Sequence, residues 1–97
     1  MNQYEALFIM KSNLSEEERK NLFSQVADTV TRQKGTVENG SVWAEKRKLY
    51  FPIKKQKEGL YYLMAFSLNP RGVRELEHAY RLNENILRVM ISRIEKH

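Results

Sequence analysis

Hydrophobic and polar positions alternate over residues 3–11, where Tyr4, Ala6, Phe8 and Met10 are interleaved with Glu5, Leu7, Ile9 and Lys11. A period of two predicts a strand, its first set lying under a helical layer and its second set on the opposite face. Asn13-Leu14-Ser15 breaks that pattern. Ser15 is a good N-cap, Glu18 completes a capping box three residues on, and Glu16, Glu17 and Glu18 suit the positive end of a helix dipole. Leu22, Phe23, Val26, Ala27 and Val30 then recur at helical spacing, and Gly35 is the expected stop.

Residues 36–51 are rich in strand formers, but Gly40 and a run of charges blur the alternation, which predicts one long strand with bends or bulges. Residues 52–58 are expected to be a connecting loop, because Pro52 cannot donate within a central ladder. The clearest strand covers residues 60–68, with Leu60, Tyr62, Met64, Phe66 and Leu68 on one face and Tyr61, Leu63, Ala65 and Ser67 on the other. Asn69-Pro70 is an N-cap followed by proline at the first helical position. Val73, Leu76, Ala79 and Tyr80 form the expected buried stripe of a second helix, which Asn83 ends. Residues 86–94 make a last strand, with Leu87, Val89 and Ile91 expected to face in and Arg88, Met90 and Ser92 out.

The predicted order is βαββαβ. Two split βαβ units give an α+β fold of ferredoxin-like type, a four-stranded antiparallel sheet with both helices on one face. The other face is then open, and Leu7, Ile9, Leu63, Ala65, Ile86 and Met90 are expected to crowd there with Tyr61 and Arg88. So apolar a face suggests a protein partner, and a strand read one residue out of step would remove the suggestion.

Length narrows this picture to a single domain over residues 1–97, long enough to fold without disulfide or metal staples. With 41% hydrophobic and 30% charged residues the chain is expected to be globular. It has no cysteine, which removes thiolate catalysis, thiolate zinc sites and disulfide frameworks. The first apolar run follows Glu5 instead of a basic segment, so no signal peptide is expected, and no run approaches the ~18 apolar residues of a membrane span. A cytoplasmic protein that engages no membrane is the expectation.

Charge changes the picture more than composition does. The net charge is +5, and residues 46–57 hold Lys46, Arg47, Lys48, Lys54, Lys55 and Lys57 with no acid among them. Taking those six from 17 basic residues leaves 11 against 12 acidic ones, so the remainder stands at −1. One short segment carries the whole excess, which points to an anionic partner at one place. The run flanks Leu49-Tyr50-Phe51-Pro52-Ile53, so cations for phosphates stand beside aromatics able to stack on unpaired bases. The competing explanation is that a lysine-rich hairpin only protects an edge strand.

Catalytic chemistry finds little to work with. His78 lies within the second helix between Glu77 and Ala79 and reads as a solvated residue, and His97 is the last residue of the chain. Neither has a metal-ligand neighbour at useful spacing, and no glycine-rich phosphate cradle, nucleophile elbow or carboxylate dyad appears. No catalytic residue, metal or cofactor is expected. The third strand, Glu58-Gly59-Leu60-Tyr61-Tyr62-Leu63-Met64-Ala65-Phe66, also lacks the spacing of an RNA-recognition motif, its aromatics being out of step.

The run Arg47-Lys48-Leu49-Tyr50-Phe51-Pro52-Ile53-Lys54-Lys55-Gln56-Lys57-Glu58-Gly59-Leu60-Tyr61 resembles the Arg-basic-Leu-Ala-Tyr-Pro-Ile-Lys-Lys segment of the bacterial small-subunit ribosomal protein six family. The opening Tyr4-Glu5 before an apolar strand and the later Asn85-Ile86-Leu87-Arg88-Val89-Met90 are similar to that family's start and to its last strand. Tyr50 stands where the family usually has Ala, and Asn2 where it often has Arg. The resemblance implies a structural, non-enzymatic part in translation. It implies pairing with small-subunit ribosomal protein eighteen and joint binding to the central domain of small-subunit ribosomal RNA. The residues expected to meet RNA are Lys46, Arg47, Lys48, Lys54, Lys55, Lys57 and Arg88, and those expected to dock the partner are Tyr50, Tyr61 and Leu63. The isolated chain is expected to be a monomer. The alternative is a small-molecule-binding regulatory module of the same fold, which requires a homodimer and a pocket of convergent polar groups.

Overall fold

The computed structural model describes residues 1–94; His97 lies outside the described residues. The elements are β1 (Asn2–Lys11), α1 (Glu16–Arg32), β2 (Thr36–Ile53), β3 (Gln56–Leu68), a 3-10 turn (Pro70–Gly72), α2 (Val73–Arg81) and β4 (Ile86–Arg93). All strand pairs are antiparallel and the sheet runs β2-β3-β1-β4. This is the ferredoxin-like arrangement anticipated from the periodicities, with β1 and β3 at the centre.

The core forms where the alternation of β1 and β3 meets the helical stripes. Tyr4, Ala6, Phe8 and Met10 lie beside Leu60, Met64, Phe66 and Leu68, under Leu22, Val26 and Val30 of α1 and Leu76 and Tyr80 of α2. Tyr4 stacks on Phe66 at 5.6 Å, and Tyr80 meets Phe8 edge-on at 4.9 Å, geometries that favour aromatic pairs. The Tyr80 hydroxyl donates to the Val26 carbonyl and ties α2 to α1; burial pushes its pKa well above the usual tyrosine range. Ala79, expected within the buried stripe, is exposed. It sits roughly a quarter-turn from the direction shared by Val73, Leu76 and Tyr80.

Both ends of α1 are determined locally. The backbone N–H of Glu18 donates to the Ser15 hydroxyl at 3.1 Å, and the Ser15 N–H donates to the Glu18 carboxylate at 3.0 Å. That backbone donor, helped by the hydroxyl, holds the Glu18 carboxyl below its ordinary value. At the other end the left-handed position falls on Lys34, with φ 65°, and not on Gly35. Gly35 instead donates its N–H to the Val30 carbonyl at 3.0 Å, closing the helix. A Cβ there would stand 2.6 Å from the Ser67 carbonyl oxygen and 2.8 Å from the Leu68 and Val30 side chains, so glycine serves close packing against β3.

The β2–β3 connection differs from the expected loop. Pro52 and Ile53 belong to β2, Gln56 opens β3 opposite Ile53, and Lys54 and Lys55 alone make the turn. Their φ values of 49° and 68° are both left-handed, as a two-residue hairpin turn of type I′ requires. Pro52 is tolerated because β2 is an edge strand. Four register shifts along β2 bend it.

Its far half folds over the open face, where Leu49 packs with Ile9 and Leu87, flanked by Ile53 and Tyr61. Gly59 permits that approach, since a Cβ would lie 2.6 Å from the Ile9 Cγ2. The Lys54 ammonium donates to the Ile86 carbonyl at 3.1 Å and pins the tip to the start of β4. Here too the expectation for β4 changes. A register shift beside Ile9 and Met10 sets Ile86 opposite Met10 in the main core, and Leu87 joins the second cluster on the other face. The extra residue of the bulge inverts the faces of the two side chains at the strand's beginning.

Two stability measurements follow. Phe66 is fully buried, so Phe66→Ala should cost roughly 3–5 kcal/mol in denaturant unfolding. Tyr61→Ala, on a half-exposed side chain, should cost distinctly less; the reverse order would mean that the β3 register is inverted. Lys55→Gly should raise stability by about 0.5–1 kcal/mol, because glycine adopts the left-handed turn without the Cβ penalty. A loss on that substitution would show that the turn is not strained.

Candidate RNA and partner interface

The six basic residues of the hairpin are all exposed, but they are not equivalent. Lys46 lies 3.7 Å from Glu58 across the hairpin. Arg47 stands over the Tyr61 ring at 5.0 Å, a cation–π contact that also shields the second cluster. Lys54 has one donor occupied by the Ile86 carbonyl. Lys48, Lys55 and Lys57 project with their charges unspent on any described side chain. Arg88, exposed on β4 opposite Ile9, is two residues from the carbonyl that holds Lys54. The fold therefore gathers all seven expected cations at one end of the sheet. Retaining Lys54-Lys55 in a turn that favours Asn-Gly breaks a local rule, and such departures concentrate where function demands the side chain.

The expected docking residues do not form one patch. Leu63 lines a shallow groove of about 210 Å3 on the open face, with Leu7, Trp43 and Met90 as its apolar walls and Glu5 and Ser92 at its rim. Tyr61, its neighbour on the same face of β3, is half-buried by the folded hairpin. Tyr50 points the other way: Leu49 faces the second cluster, so the next side chain turns outward. It is 94% exposed and meets Phe51, itself 71% exposed, edge-on at 5.0 Å. Ile86, expected on the open face, is in the main core instead.

Sequence reasoning missed Trp43, which is 58% exposed on the groove wall. The chain's single tryptophan was the available signal, but the register shifts on both sides of it hid which face it takes. His78 is exposed on α2 between Arg74 and Arg81, the setting of a solvated helix residue. No helix among the described residues is long and apolar enough to cross a membrane.

Comparison with known proteins bears on what this arrangement is for. The profile of the family described as Ribosomal protein S6 matches residues 3–93. The small ribosomal subunit protein bS6 of Caldanaerobacter subterraneus is 39% identical over 95 residues, covering 98% of this chain and 99% of the relative. That of Clostridium novyi is 38% identical over 96 residues, covering 99% and 100%. The crystal structure of 30S ribosomal protein S6 from Thermotoga maritima aligns with a TM-score of 0.85 at 33% identity, over 96% of this chain and 87% of that one. With the family match running over residues 3–93 and with the same βαββαβ architecture, the chain belongs to the ribosomal protein S6 family and is a structural protein of the small ribosomal subunit, not an enzyme.

Proposed function

We propose that this chain, as a single domain in the cytoplasm, binds the central domain of small-subunit ribosomal RNA as one half of a heterodimer with small-subunit ribosomal protein eighteen. The observation that carries the reading is the hairpin, whose strained two-lysine turn and flanking cations supply the whole positive excess of a chain otherwise near neutrality. In this reading Lys46, Arg47, Lys48, Lys54, Lys55, Lys57 and Arg88 form the RNA side. Leu63, with Trp43, Leu7 and Met90 around it, forms the protein side. Tyr61 supports that side from beneath the hairpin, and Tyr50, which points away from the groove, would meet the partner at a separate place.

Energetics favour a joint binder. A few lysine–phosphate contacts give modest, salt-sensitive affinity. A partner that is already docked and adds contacts of its own makes the second set effectively intramolecular. An apolar groove also gains by being covered.

The first test measures binding of a central-domain RNA fragment across a salt series, with and without protein eighteen. The chain alone should be monomeric and should bind poorly at physiological salt, and the partner should rescue binding. In the ternary mixture, replacing Lys48, Lys55 and Lys57 with Gln should flatten the log–log salt dependence by up to about 3, near 0.9 per lost phosphate contact. Folding stability should barely change, since exposed charges contribute little to it. Tight, specific RNA binding by the chain alone would overturn the heterodimer mechanism, and an unchanged slope would move the RNA surface off the hairpin. The second test titrates partner into Trp43→Ala, Leu63→Ala and Tyr50→Ala variants by calorimetry. A buried aromatic anchor costs about 2 kcal/mol or more on truncation, roughly thirtyfold in affinity, and Trp43 should show that loss. Full affinity in all three variants would mean that docking uses another surface.

A further inference from the structure

The β1–α1 turn and the far half of the hairpin meet at one end of the sheet. β1 ends at Lys11, opposite Gly59, so Ser12 and Asn13 leave the sheet alongside the start of β3. Between the two segments lies an open depression of about 330 Å3, bordered by Lys46, Lys55, Gln56, Lys57 and Glu58 on the hairpin side and by Ser12 and Asn13 on the turn side. The two walls differ in chemistry. The hairpin offers three ammonium groups, one carboxylate and the Gln56 carboxamide, a charge balance of +2, and Lys46 already faces that carboxylate at 3.7 Å. The turn offers a hydroxyl and a carboxamide, both neutral donors.

That combination selects its occupant. Lys55 and Lys57 are compact point charges suited to a single anionic group, while uncharged donors at a fixed place set its orientation. No aromatic side chain lines the depression, so it has no platform on which a base could stack. A phosphodiester carries one negative charge and two non-bridging acceptor oxygens, and it meets both walls at once.

We propose that this depression seats one backbone phosphate of the bound RNA, with Lys55 and Lys57 neutralising its charge and with Ser12 and Asn13 donating hydrogen bonds to its non-bridging oxygens. The β1–α1 turn is then a second, uncharged half of the RNA site. This inference rests on the RNA-binding reading above and gives it an address outside the basic run. Ser12 and Asn13 precede the Ser15 cap that starts α1, so both can be truncated without touching the capping box.

The test uses the full chain with protein eighteen and the central-domain RNA fragment, and it measures affinity across a salt series. The double variant Ser12→Ala, Asn13→Ala should lose about tenfold in RNA affinity, the scale of hydrogen bonds to a charged group. Its salt slope should not move, because no charge is removed. Lys57→Gln should instead flatten the slope by about 0.9. Combining the two should cost less than the product of the separate losses, because both sets act on one phosphate. Lys48→Gln, outside the depression, should combine multiplicatively with the turn variant. Unchanged thermal melting and unchanged affinity for protein eighteen complete the expected result. If the turn variant keeps full RNA affinity while lysine variants flatten the slope, the phosphate seat is overturned and the RNA-binding reading stands. If neither set changes affinity or slope, both fall. If the turn variant weakens the protein partner and not the RNA, the depression receives an acidic group of that partner, and the phosphate seat is again overturned.

Discussion

The pairing of β1 with β3 sets Tyr4 opposite Phe66, Ala6 opposite Met64 and Phe8 opposite Tyr62. Because successive strand residues face opposite sides, this register also sets Glu5 opposite Ala65, Leu7 opposite Leu63 and Ile9 opposite Tyr61 on the other face. A slip of β1 by one residue would carry Glu5 and Lys11 into the core and expel Tyr4 and Phe8, a cost far beyond the net stability of a small domain. Everything else is arranged around that constraint. The helices cover the first face with Leu22, Val26, Val30, Leu76 and Tyr80, and the second face receives the folded hairpin at one end only. What the hairpin leaves uncovered is the groove of Leu7, Trp43, Leu63 and Met90.

The hairpin joins stability and recognition in one element. Its inner side chains, Leu49 and Ile53, build a small second core against Ile9 and Leu87, and the Lys54 ammonium reaches the Ile86 carbonyl. These contacts offset the strain of two consecutive left-handed lysines at the tip. With its inner side anchored, the outer side is nearly free of structural duty. Exposed cations contribute little to folding, so Lys48, Lys55 and Lys57 answer to whatever anion the surface meets. Tyr50 and Phe51 are exposed on this segment as well.

Cationic and apolar surfaces therefore lie side by side without interfering. Burying the lysines against a hydrophobic partner would incur desolvation with nothing to repay it. Leaving the apolar groove in water would forgo the gain from covering it. Separate occupants for the two surfaces satisfy both terms.

Interactions between near neighbours explain how much of the fold the residues alone reveal. The period of two in β1 and β3, the helical stripe of α1 and the Ser15–Glu18 capping box each depend on neighbours a few residues apart, so element order, main core and fold class were legible before any coordinates. The basic run was legible for the same reason, being contiguous. Where register breaks, that reading fails. One bulge exchanged the faces of Ile86 and Leu87, and four shifts along β2 concealed the side of the sheet that Trp43 takes, because periodicity carries no marker of an inserted residue. The tight turn was hidden by lysines at positions where glycine or asparagine would have announced it. Long-range packing alone folds the hairpin over the open face, brings Leu49 to Ile9, lays Arg47 over Tyr61 and sets Ser12 and Asn13 across an open depression from Lys55 and Lys57. Apart from the Arg47–Tyr61 contact within one hairpin, these join segments about 40 residues apart, and their closeness follows from packing two faces of one sheet, a property that no window of sequence contains.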